Sequence, residues 1–198
     1  MMEEALARLA ATDSFLKNEN SKLAIECAAL NLRKSLEIIA FSAIAPNKAK
    51  YESLRSRATK QIDFRKDYHA RRIAQDLKKV NPDFFPIALA ERSKNDDGDW
   101  RHERASGALT LTDFLQAYDS LGAAAHAYNP WGPEPNLHAL KTLIRSTIEK
   151  ARLLTRLHAA FIKSPEFSGV WIYQAATSEA CAHLWVAEAE GNYIVKRS

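Results

Sequence analysis

Ser21–Ile44 reads SKLAIECAALNLRKSLEIIAFSAI, and the fold class turns on this stretch. An α-helix turns about 100° per residue, which puts Ile25, Leu32, Leu36 and Ile39 on one apolar stripe and Leu23, Cys27, Leu30 and Ile38 on a second. A helix apolar on two sides packs neighbours on both, so the pattern predicts the central helix of a bundle. Ser21 stands where an N-cap hydroxyl accepts from a free backbone N–H, and Pro46 ends the run. One polar line crosses this helix: Glu26, Arg33 and Glu37 fall within about 40° of one another. Arg33 and Glu37, four apart, can pair. On a central helix such a line is either a structural network or part of a site, because a buried charge needs partners.

Helical patterns continue on both sides. Glu3–Leu16 offers Leu6, Leu9 and Phe15 for burial, and Asn18–Asn20 breaks or bends the chain before Ser21. After Pro46 comes a basic helical stretch, then DYHARRIAQDLKKV with Asp67 as its cap. There Ile73, Leu77 and Val80 face inward, while Arg71, Arg72, Gln75, Lys78 and Lys79 face water. Asn81-Pro82 stops it. The segment NPDFFPIALAERSKNDDGDWRHERASG is irregular, with a short hairpin turning at Asp97-Gly98. Thr110 and Asp113 form a capping box that opens LTDFLQAYDSLGAAAHA. A long helix is expected from Leu137 to Lys163, burying Leu140, Leu143, Ile144, Ile148, Leu154, Leu157 and Phe161. Near the C-terminus, GVWIYQ and HLWVAEA are rich in branched and aromatic residues and read as two paired strands. The fold class is therefore mainly α: a helical bundle of four or more helices over residues 1–165, with a small C-terminal β-hairpin over 166–198 packed on it.

Six glycines and seven prolines in 198 residues are too few for the many turns of an all-β fold. Cys27 and Cys181 match no metal or redox spacing and read as free thiols. No HExxH, CxxC, Walker loop or GxGxxG occurs, so neither a metal nor another cofactor is expected. The N-terminal MMEEALARLAATDSF has acids where a signal peptide has bases, and IIAFSAIA is too short to span a bilayer. A soluble, cytoplasmic protein without a membrane partner is expected. The net charge of +4 is unevenly spread. Lys48–Lys79 holds eleven basic and four acidic residues, a surplus of seven, so the remainder carries −3. Such a surface, with Arg65, Arg71 and Arg72 at its middle, either steers phosphate backbones or is simply a solvated face.

Ala123–Asn136, AAAHAYNPWGPEPN, singles out His126. Alanines favour the helix, and Asn129-Pro130 stops it, so His126 falls near a helix C-terminus. Asp119, Gly122 and His126 share one face within about 60°. Glycine within a helix costs up to ~1 kcal/mol relative to alanine, which calls for a packing or access reason. Two readings stay open for His126. In one it caps the helix with its charge and packs on Tyr128. In the other, Gly122 opens a pocket in which His126, Arg33 and Glu37 meet at the bundle centre, with Asp119, Tyr128 and Asn129 around them. Trp131, Trp171, Trp185 and Tyr173 are able to stack on bases, although hairpin aromatics are usually core.

Three stretches, LNLRKSLEIIAFSAI, KKVNPDFFP and LTLTDFLQAYDSLGAAAHAYNP, make the chain resemble the HEPN-like proteins of prokaryotes, over about residues 1 to 165. The resemblance implies an α-helical bundle that dimerises. It implies a place among the metal-independent ribonucleases of toxin–antitoxin and antiphage defence systems, with RNA or a protein encoded nearby as partner. The family's motif is an Arg, four to six residues, then His, often followed by x-Tyr. His126-Ala127-Tyr128 fits its second half, but positions 119 to 121 are Asp119, Ser120 and Leu121, with no Arg. Arg152 and His158 have the right separation within a different setting. A guanidinium from another helix, Arg33, is a candidate substitute that the residues offer and the family's motif does not include. The departure favours a non-catalytic interaction or nucleic-acid-binding module. The alternative is a ribonuclease with His126 as general acid or base and Arg33 stabilising charge on the phosphorane.

Overall fold

Helices α1 (Met2–Leu16) and α2 (Lys22–Ser42) pack along each other, and Ser35 Oγ donates to the Ala5 carbonyl at 3.1 Å. The computed structural model describes residues 1–18, 21–56, 70–94, 96–98, 100–124, 131, 136–163, 168–178 and 181–188. Ser21 caps α2 as its position suggests, accepting from the Ala24 N–H at 3.2 Å. The first stripe of α2 is the core: Ile25, Leu32, Leu36 and Ile39 are buried. The second stripe is not a buried face along its whole length. Ile38 is inside, but Leu23 and Leu30 are 69% and 44% exposed. Burial on all sides is confined to the C-terminal half of the helix, where Ser35, Leu36, Ile38, Ile39 and Ala40 are all inside. On α1 the buried face is Ala5, Leu9, Thr12 and Leu16; Leu6 is partly covered, and Phe15, expected inside, lies on the solvent side.

A short 3₁₀ turn, Ala45–Asn47, leads to α3 (Lys48–Ser56), and α4 spans Ala70–Val80. Asp67, the expected cap, lies outside the described residues. On α4, Ile73 and Leu77 are buried and Val80 is partly so, while Arg71, Arg72, Gln75, Lys78 and Lys79 are exposed, as the helical period requires. Helix α5 (Leu111–Ala123) opens on the expected box: Thr110 Oγ1 accepts from the Asp113 N–H at 3.1 Å, and Asp113 Oδ2 accepts from the Thr110 N–H at 3.1 Å. Lys150 Nζ donates to Asp113 Oδ1 at 2.7 Å and ties this corner to α6 (Leu137–Arg156). Burial opposes ionisation of Asp113, but the bonds from Lys150 and Thr110 outweigh it and hold the carboxyl below its usual pKa. Helix α2 touches α1, α4, α5 and α6, the central position that its pattern predicted.

The β part is larger than one hairpin. The helix expected to run to Lys163 stops at Arg156, and Leu157–Lys163 is a strand. Along the chain the strands are β1 (Ile87–Ala88), β2 (Ser93–Lys94), β3 (Trp100–Arg101), β4 (Leu157–Lys163), β5 (Ser168–Gln174) and β6 (His183–Glu188). β1, β4, β5 and β6 form one antiparallel sheet in that order, and β2 pairs with β3 around Gly98, whose φ is +87°. The β5–β6 hairpin and the turn at Asp97-Gly98 were legible locally. The conversion of Leu157–Lys163 was not, because β4 is held on both edges, by β1 and by β5, and ladder pairing overrides local helical preference. Strands on both sides of residue 165 thus share one sheet.

Candidate functional site

The capping box fixes the register of α5, so that Tyr118 and Gly122, one turn apart, both face Arg33 on α2. Arg33 Nη1 donates to the Tyr118 carbonyl at 2.7 Å. Its guanidinium carbon sits 3.7 Å from the centre of the Tyr118 ring, a cation–π geometry. Its Nε lies 3.5 Å from Glu37 Oε1, and Tyr118 Oη donates to the same carboxylate oxygen at 3.1 Å. Burial raises the Tyr118 phenol above its ordinary pKa; the Glu37 charge adds to this and Arg33 opposes it. Arg33 and Glu37 keep 21% and 26% of their side-chain exposure, so the cluster is partly open to water.

Gly122 leaves open the space beside the Arg33 guanidinium. A β-carbon built there would lie 2.7 Å from Arg33 Nη1, closer than real β-carbons approach other atoms. The glycine is next to last in α5 and makes room for a guanidinium. The sequence flagged the glycine but not its occupant. Tyr118 was missed altogether, although its spacing of four from Gly122 puts both on one helix face.

The other expected residues separate. Asp119 turns to α4, where Arg71 grips it through two bonds: Nε donates to Oδ1 at 3.0 Å, and Nη2 donates to Oδ2. Glu26 pairs along its own helix with Lys22 at 4.0 Å and takes no part in the Arg33 cluster. Arg72 is exposed on α4. His126, Tyr128, Asn129 and Arg65 lie outside the described residues. Arg152 does not meet His158: it pairs with Asp13 and, at 3.3 Å, with Glu149, while His158 is buried in β4.

Comparison with protein-family models, with curated proteins and with solved structures finds no match for this chain. The HEPN-like resemblance therefore rests on the three sequence stretches alone. Among the described residues no three His, Cys, Asp or Glu side chains are grouped so as to hold a metal ion. No described helix is long and apolar enough to cross a membrane. What the Arg33 cluster does chemically is hold two helices together. Its cation, carboxylate and phenol satisfy one another, as buried polar groups must.

Proposed function

We propose that the protein is a non-catalytic module that binds nucleic acid or a partner chain, of the kind used in bacterial defence or toxin–antitoxin systems. One observation carries the reading: Arg33, the guanidinium that a ribonuclease would direct at phosphate, is committed to the Tyr118 carbonyl, the Tyr118 ring and Glu37. A group held by three partners within its own fold is not poised for a substrate. The binding surface in this reading is the water-facing side of α4, with Arg72 and Lys78 exposed. Arg71 contributes less than its charge suggests, because Asp119 holds it.

The salt dependence of binding to a single-stranded RNA tests this. Each phosphate contact contributes roughly one to the slope of log K against log salt, somewhat less for single strands. Arg72→Ala is expected to flatten the slope by about one, and Asp119→Asn, which frees Arg71, to steepen it. Unchanged slopes in both variants mean a merely solvated face. RNA cleavage that disappears in His126→Ala would restore the ribonuclease.

The reading includes a homodimer. All six residues of β6 are exposed, among them Leu184, Trp185 and Val186, and an edge of this kind invites strand pairing. Sedimentation at micromolar concentration is expected to show a dimer; a clean monomer contradicts it.

A further inference from the structure

Strand β6 ends the four-stranded sheet, and among the described residues nothing pairs with its outer edge. All six of its residues are exposed, so neither of its faces is covered. Leu184, Trp185 and Val186 are 55%, 48% and 56% exposed. The far end of the sheet is closed. There β1 is two residues long, and the Ala105 N–H donates to the Ala88 carbonyl at 3.0 Å, so the chain beside Arg104 lies along it. Open edges are ordinarily guarded by a charged side chain, a proline or a bulge. Leu184–Ala187 carries neither charge nor proline, and its register with β5 runs without a bulge.

A second copy of this chain fits such an edge in few ways. A strand residue points its N–H and C=O to one edge, and its neighbours point theirs to the other. Residues directly opposite in an antiparallel pair must agree in this. When a strand pairs with its own copy about a twofold axis, the residue at the axis therefore meets itself, and its two neighbours meet each other. Centred on Trp185, Leu184 faces the partner's Val186, and Val186 faces the partner's Leu184. Trp185 meets the partner's Trp185, with cross-strand β-carbons about 4.5–5.5 Å apart. All three exposed apolar residues are then matched with one another. Centred on Val186, Leu184 would face the partner's Glu188, and Trp185 the partner's Ala187. Centred on Leu184, Trp185 would face the partner's His183, but each His183 is already stacked on its own Trp185, ring centres 5.4 Å apart.

We propose that β6 pairs antiparallel with β6 of a second copy, centred on Trp185, so that the four strands of each copy join in one continuous sheet. The inference rests on the homodimer reading above and gives that dimer its interface. A twofold contact uses the same patch on both copies, so one open edge per chain is enough and the assembly closes at two. The uncharged centre of β6 offers nothing to a phosphate backbone, which separates this surface from the basic face of α4.

Cysteine cross-linking reads the register, in the full chain carrying Cys27→Ser and Cys181→Ser to remove its free thiols. Chains with Leu184→Cys and chains with Val186→Cys, mixed and mildly oxidised, are expected to give a disulfide-linked dimer. Neither variant alone is expected to link. Each residue and its own copy stand two residues out of register, with Cα atoms about 8 Å apart, beyond the roughly 7 Å that a disulfide spans. Val186→Lys is expected to sediment as a monomer with its helical circular dichroism unchanged. A wild-type dimer that Val186→Lys leaves intact, or a mixture that links no better than either variant alone, overturns this interface and leaves the homodimer standing. A wild-type monomer removes both, and leaves the edge to a strand of a different protein.

Discussion

Acidification from pH 7 to pH 4 is expected to cost the fold about 3 kcal/mol through His158 alone. The ring is buried, and desolvation lowers its pKa from 6.5 to about 4 in the folded chain. Between those values the unfolded chain binds a proton at this residue that the folded chain refuses. Stability is therefore fully present above about pH 6.5, falls through the window, and has been lost by about pH 4. Each pKa unit is worth ~1.4 kcal/mol. Glu3 and Asp113, whose carboxyls are held below their ordinary values, lose their contributions only as the pH falls past about 4.5 and 3.8. The window from pH 6.5 to 4.5 thus isolates the histidine from both. Urea unfolding of the wild type and of His158→Leu across pH 4 to 7 checks this. The wild type should lose about 3 kcal/mol more than the variant over that range. Parallel pH profiles would show that the ring protonates freely in the folded state.

Arg33→Met is expected to destabilise the fold by about 2–4 kcal/mol while leaving RNA affinity unchanged. The bond to the Tyr118 carbonyl has a charged donor, worth ~1.5–3 kcal/mol when lost. The stacking on Tyr118 adds roughly 0.5–1 kcal/mol. The Glu37 pair, a quarter exposed and solvent-screened, adds a few tenths at most, about 0.3 kcal/mol. Methionine keeps the packing of the stem, so the loss is that of the head group. Urea unfolding measures the first half of this prediction and RNA titration the second. Unaltered stability with lost RNA binding or processing would make Arg33 a functional residue instead of a tie between helices.

What was legible in the sequence was what is local. The caps at Ser21 and at Thr110–Asp113 follow from residues within a few positions of each other, and the buried stripe of α2, the inward face of α4 and the two hairpins from patterns within one helix or one pair of neighbouring strands. What was not legible depends on remote partners. LHAAFIK prolongs the apolar pattern of α6 well enough to look helical, and it becomes β4 because Ile87–Ala88 and Ser168–Gln174 flank it. Phe15 and Leu30 read as core because period alone cannot say whether a neighbour lies opposite. At the candidate site, Arg33 with Glu37 was readable from spacing, and so was the oddity of Gly122. That the two belong together was not, since the close approach joins α2 to α5. The bidentate Arg71–Asp119 pair joins α4 to α5 in the same way and was equally invisible. His126, Tyr128, Asn129 and Arg65 lie outside the described residues.

The central claim is that Gly122 exists to seat Arg33 as a structural tie, and a double-mutant cycle tests it most directly. Gly122→Ala in the wild type places a methyl 2.7 Å from Arg33 Nη1, so the guanidinium end must shift away from the Tyr118 carbonyl. That loss of ~1.5–3 kcal/mol outweighs a helix-propensity gain of up to ~1 kcal/mol, leaving the variant destabilised by about 1 kcal/mol. In the Arg33→Met background the methyl meets no guanidinium, and the same change should stabilise by up to ~1 kcal/mol. The account predicts this reversal of sign, a coupling of about 2 kcal/mol between the two positions. Gly122→Ala stabilising both backgrounds equally would contradict it.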